Sequence, residues 1–195
     1  MTTIAVIYHS GFGHTKLVAE AIRDGAQGVG DVEVRLLTAE EAAEQFDSLA
    51  DVAGIIFGSP TYMGSVSGEM EQFFDKSSKV WFTQGWKDKL AGGFTNSGSL
   101  SGDKLSTLQR ISTFAAQHSM VWVNLGIPNE ASDPEFKGEF HEAKNRVGSY
   151  LGLMAQSNDA AADEVNPPSG DIATAKVYGA RFAKAAKRWG VGLID

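Results

Sequence analysis

The sequence predicts an α/β fold: a doubly wound, five-stranded parallel sheet with helices on both faces, its last strand split by an insertion. Three observations lead there. Short apolar runs alternate with stretches of helical periodicity along the chain. Several of the apolar runs are nearly unbroken, as in strands buried on both faces. Three loops rich in glycine and hydroxyl side chains each follow such a run, which places all three at the carboxyl edge of one sheet, where ligands of open α/β folds bind.

The elements follow in order. Ile4-Ala5-Val6-Ile7-Tyr8 is a buried strand, Ser10-Gly11-Phe12-Gly13-His14-Thr15 a tight loop, and Leu17, Val18, Ala21, Ile22 and Gly25 recur at helical spacing. The loop leaves backbone N–H groups open at a helix start, where the dipole favours an anion. Ser10 and Thr15 add hydroxyls, and Gly11 and Gly13 allow a sharp turn. Lys16 stands where a dinucleotide fingerprint has its third glycine, and no G-x-x-x-x-G-K-[ST] occurs. The loop therefore suits a terminal phosphate monoester; the competing reading is an ordinary βα turn.

Val32–Leu37 alternates as a strand near a sheet edge, and Thr38 caps a short helix over Ala39–Gln45. Val52–Gly58 is a second buried strand, ending in the loop Ser59-Pro60-Thr61-Tyr62-Met63-Gly64-Ser65. Ser67 or Gly68 opens a helix with Met70, Phe73 and Phe74. Leu90–Thr95 is a third central strand, followed by the loop Asn96–Gly102 and a helix from about Asp103 to Gln117. Met120–Leu125 and Ser149–Met154 read as one edge strand split by a polar insertion. The acidic run within it, Glu130 to Glu142, reads as a solvated lid or arm. Asp171 is expected to cap the last helix, which runs through Trp189.

At 195 residues the chain is expected to form one domain, residues 1–195. A hydrophobic share of 43% with 21% charged residues suits a folded chain. The net charge of −7 argues against a nucleic-acid partner, because phosphate contacts need basic clusters. With no cysteine there is no disulfide, thiol catalysis, iron–sulfur cluster or cysteine zinc site. His9, His14, His118 and His141 have no metal-binding spacing, so no metal is expected. No run reaches membrane-spanning length, and the opening apolar run is too short for a signal peptide. A cytoplasmic protein without a membrane partner is the expectation.

These loops resemble the flavodoxin-like superfamily, and most closely the WrbA-type NAD(P)H:quinone oxidoreductases. Ser10-Gly11-Phe12-Gly13-His14-Thr15 is similar to that family's S-x-x-G-H phosphate loop. Pro60-Thr61-Tyr62-Met63-Gly64 resembles its P-T-R-F-G loop. Ser97-Gly98-Ser99-Leu100-Ser101-Gly102 stands where it has T-G-T-G-G-G, and Gln117-His118-Ser119-Met120-Val121 resembles its H-H-G-M-V. The resemblance implies an FMN cofactor, with its phosphate on Ser10 to Thr15 and its ring between Pro60–Ser65 and Ser97–Gly102. It implies hydride transfer from NADH or NADPH to the flavin and on to a quinone-like acceptor. It implies a homodimer or homotetramer whose neighbours complete the site. It also makes His118 the expected catalytic residue, donating to a quinone oxygen; the competing reading is a helix-end histidine. His14 is expected to shape the phosphate loop. Tyr62 and Met63 replace the family's arginine and phenylalanine, and Leu100 and Ser101 replace two glycines. Trp81, Phe82 and Trp86 read as a hydrophobic cluster, a wall over the flavin, or a subunit contact. The rival function is a flavodoxin-like FMN electron carrier without NAD(P)H turnover of its own.

Overall fold

The structure, a computed structural model, describes residues 1–163 and 165–191. The strands are β1 (Thr2–Tyr8), β2 (Val32–Thr38), β3 (Gly54–Pro60), β4 (Leu90–Ser97), β5 (Val121–Trp122) and β6 (Leu153–Gln156). The helices are α1 (His14–Gln27), α2 (Ala39–Glu44), α3 (Gly68–Lys76), α4 (Ser78–Phe82), α5 (Lys104–Gln117) and α6 (Ser169–Val191).

All pairings between these strands are parallel, in the order β2-β1-β3-β4-β5, and β6 also pairs with β4. The split edge strand is observed directly. β5 pairs with the start of β4, Leu90↔Val121 and Ala91↔Trp122. β6 pairs with its end, from Phe94↔Leu153 to Ser97↔Gln156. Both pieces are displaced from their expected bounds. Past Trp122 the chain leaves the ladder, and the Trp122 indole N–H donates to Leu151 O at 2.8 Å, tying the two ends of the insertion together. Ser149 does not begin a strand; its hydroxyl donates to Gly152 O and closes a turn before β6.

Strand alternation divides the core in two. Ile4, Val6 and Tyr8 of β1 face α1 and α6 in one cluster with Ile56, Phe94 and Tyr178. Ala5 and Ile7 face the other side, with Phe57, Phe73, Trp86, Ile111 and Phe114. The first layer is close-packed at Gly25 of α1, which lies against the Lys176 backbone, and Gly179 of α6, which lies against the Ile22 backbone. Thr38 does cap α2, in a capping box with Glu41. Ser67 caps α3 through Met70 N. Asp171, by contrast, is not a cap. It is buried within the first turn of α6, where both oxygens accept from the Arg146 guanidinium at 2.9 Å. The acidic arm carries short 3₁₀ turns at Glu130–Ser132 and Phe140–Glu142, and Lys144 pins its start by donating to Glu130.

Candidate functional site

The turn from β1 into α1 is built around one hydroxyl. Ser10 Oγ accepts from Gly13 N at 3.1 Å and from Lys16 N at 3.2 Å. Gly13 sits at φ 91°, a left-handed conformation that glycine adopts without strain, and serves as N-cap. The amides of Gly11, Phe12, His14 and Thr15 have no acceptor among the described residues. Four open N–H groups at the positive end of a 14-residue helix suit an anion. His14 closes its flank: Nε2 donates to Ala160 O at 2.9 Å.

That loop borders a cavity of about 420 Å³, lined by Ser10, Gly11, Phe12, His14, Thr15, Pro60, Tyr62, Asn96, Ser97, Gly98 and residues 157–161. A second crevice of about 820 Å³ shares Ser97, Gly98, Asn158 and Asp159 with it and continues to Thr61, Met63, Gly64, Ser99, Gly102 and Asp103. The two form one trough over the carboxyl ends of β1, β3 and β4. Asn96 is buried, and its Nδ2 donates to Ser157 Oγ at 2.7 Å. Its Oδ1 is buried and has no partner among the described residues.

The second loop turns at Met63 and Gly64, both at positive φ, and is closed by paired backbone bonds of 3.0 Å between Tyr62 and Ser65. Met63 is thereby fully exposed at the tip. Thr61 Oγ1 lies 2.8 Å from the hydroxyls of both Thr95 and Thr107, fastening the loop to β4 and α5. The Tyr62 hydroxyl lies over Gly11. Burial, with Glu69 nearby, raises the Tyr62 phenol above its ordinary pKa, so it stays protonated at neutral pH. Beneath the third loop, Gln156 Nε2 donates to Gly98 O at 3.0 Å, and Arg146 donates to Gln156 Oε1 at 3.0 Å. The Lys104 ammonium donates to Ser99 O.

Residues 3–131 match the family described as NADPH-dependent FMN reductase. The chain belongs to that family. Its relatives include the flavodoxin FldP of Pseudomonas aeruginosa, 40% identical over 190 residues, with 96% of this chain and 98% of that protein covered. The NAD(P)H dehydrogenase (quinone) of Paracoccus denitrificans is 28% identical over 203 residues, covering 95% of this chain and 94% of its own length. Among solved structures, the flavodoxin, WrbA-like protein from Agrobacterium tumefaciens superposes with a TM-score of 0.73 at 38% identity, covering 96% of this chain and 99% of that one. The flavodoxin-like fold expected from the loops is the fold observed.

The trough fits the family's FMN on its own chemistry. Open amides at a helix start suit a phosphate, and the unpaired Asn96 Oδ1 suits a hydroxyl or N–H donor of the cofactor. Of the expected binding residues, Ser10, Gly11, Phe12, His14, Thr15, Pro60, Tyr62, Ser97 and Gly98 line the first cavity, and Thr61, Met63, Gly64, Ser99 and Gly102 the second. Gly13 and Leu100 line neither; Gly13 shapes the turn after β1, and Leu100 is exposed in the third loop. His118 is not brought to the trough. α5 starts at the third loop and runs back along the sheet, so the residue after it lies at the opposite edge. There His118 is 2% exposed, its ring 4.6 Å from Trp86, with Nε2 2.9 Å from Ser77 Oγ. The aromatic cluster divides too: Trp86 is core, while Trp81 and Phe82 are exposed. Sequence reasoning missed Asn96, Lys104 and residues 157–161. The signal for the last was their place directly after a strand, shared by the other three loops.

Proposed function

We propose that residues 1–195 act as one FMN-binding domain of an oxidoreductase that passes a hydride from NADH or NADPH to a quinone-like acceptor. The observation that carries this reading is the set of open amides of Gly11, Phe12, His14 and Thr15 at one end of a trough lined by Asn96, whose buried Oδ1 has no partner among the described residues. The family match and the Paracoccus relative's name support it. The backbone of Gly11 to Thr15 holds the phosphate, and Ser10 fixes the loop. Pro60 to Gly64 and Ser97 to Gly102 flank the ring. Tyr62 shields one side from water, and amides of the third loop meet negative charge that develops on reduction. When bound, FMN supplies the two-electron chemistry; the chain supplies position and electrostatics. No acid–base step is assigned to His118, because hydride transfer needs orientation first. The acceptor approaches from the open side of the trough, past Met63.

Anaerobic titration of the FMN-loaded protein tests this. NADH or NADPH is expected to bleach the flavin absorbance, and benzoquinone to restore it. The FldP relative's name favours a second reading, an electron carrier. That reading prevails if neither nicotinamide bleaches the protein and dithionite does so in two one-electron steps.

A further inference from the structure

Lys104 is the first residue of α5 and is completely buried. Both facts are unfavourable on their own. A cation at a helix N-terminus meets the positive end of the dipole, and an ammonium removed from water loses its hydration. An apolar residue would serve packing better at that place. Its Nζ donates to the backbone of the third loop, to Ser99 O and, at 3.4 Å, to Leu100 O. It makes no ion pair among the described residues. The nearby carboxylate, Asp171, is already held in both oxygens by Arg146. The buried group of Lys104, Arg146 and Asp171 therefore holds two cations against one anion, directly under the third loop.

Burial pulls the Lys104 pKa down to about 8, with Asp171 opposing and Arg146 adding to the effect. The side chain is therefore still a cation at neutral pH. Its two carbonyl contacts also fix which way the loop's amides point. In a planar trans peptide the N–H lies opposite the C=O. With the Ser99 and Leu100 carbonyls turned to Lys104, the amides of Leu100 and Ser101 turn away from the ammonium. Neither amide has an acceptor among the described residues.

We propose that Lys104 is a positioning and redox-tuning residue: its buried charge and the amides it orients favour the reduced cofactor over the oxidised one. The inference rests on the FMN reading above. Taking up a hydride adds two electrons and one proton to the flavin and leaves NAD(P)⁺ behind, so the cofactor gains one negative charge. A fixed, buried cation under the loop, with two loop N–H groups that have no acceptor among the described residues, stabilises that charge without reorganising. A purely structural lysine would change the affinity for both redox forms alike. A tuning lysine changes their ratio.

The experiment compares wild type, Lys104→Gln and Lys104→Arg, each loaded with FMN. FMN affinity is read by fluorescence quenching, and the two-electron midpoint potential by equilibration with a reference dye at pH 7. Glutamine keeps a donor for the loop carbonyls and removes the charge; arginine keeps both. Lys104→Gln is expected to lower the ratio of reduced to oxidised FMN affinity about tenfold, a potential about 30 mV more negative. Lys104→Arg is expected to stay near wild type. A Lys104→Gln potential equal to wild type overturns the proposal, as does a Lys104→Arg potential shifted as far as that of Lys104→Gln. Failure of wild type to take up FMN would instead overturn the FMN reading itself.

Discussion

Between Trp86 and Phe114, the His118 imidazole donates from Nε2 to the Ser77 hydroxyl, which in turn donates to Phe74 O at 2.7 Å. This chain of donors fixes the tautomer and leaves Nδ1 buried with no partner among the described residues. Burial lowers the His118 pKa from 6.5 to about 4. The native state therefore holds this histidine neutral where the unfolded chain protonates it. Between pH 6.5 and about 4 the unfolded state binds the extra proton, so the stability tied to neutral His118 is intact above that window and is lost as pH falls through it. The full loss is about 3 kcal/mol. Urea unfolding at pH 7 and pH 4.5 should show a fall in midpoint for wild type that is smaller in His118→Gln; equal falls would remove His118 as its source. Residue identities alone made the turn from β1 into α1 readable, because Ser10, Gly13 and Thr15 lie within a few positions of one another. They could not place His118 or Lys104. Those roles depend on what α5 brings to each edge of the sheet, and a sequence window around either residue shows a helix end and nothing else.

At the scale of elements, α1 and α6 cross so closely that a β-carbon at Gly179 would enter the Ile22 backbone, and one at Gly25 the Lys176 backbone. Backbone cannot rotate aside as a side chain can, so the helices would have to part. Gly179→Ala is expected to lower stability by about 2 kcal/mol, read from the urea midpoint. An unchanged midpoint would mean that the layer is looser than its glycines indicate. The boundaries of β1, β4, α2, α3 and α5 could be read closely because each has a periodic face and a clear stop or cap. The two halves of the edge strand were harder. Their ladder with β4 covers Val121–Trp122 and Leu153–Gln156, whereas the apolar runs are Met120–Leu125 and Ser149–Met154. Apolar character marks burial, and in the insertion burial extends past the hydrogen-bonded ladder. Asp171 was mistaken for a cap for a related reason. An acidic residue near a helix start has two uses, and only the distant Arg146 selects between them.

Across the whole molecule, the strand order β2-β1-β3-β4-β5 makes the chain turn one way after β1 and the other way after β3. The loops that follow β1 and β3 diverge there and leave the trough between them. β6 then delivers residues 157–161 to the same edge, beside the loop after β1, where His14 bonds to Ala160 O. No metal-binding cluster and no helix long and apolar enough to cross a membrane occurs among the described residues. The fold class was legible because three similar loops after three buried strands fit few arrangements. The fourth wall was not, since its nearness to the phosphate loop depends on an edge strand interrupted by some thirty residues of insertion. The proposed FMN site depends on the open amides of Gly11, Phe12, His14 and Thr15 holding a phosphate. Calorimetric titration of the apoprotein with FMN and with riboflavin, which lacks only the phosphate, tests that most directly. FMN is expected to bind at least about 100-fold more tightly, as several charge-assisted hydrogen bonds at a helix start require. Equal affinities for the two would contradict the account.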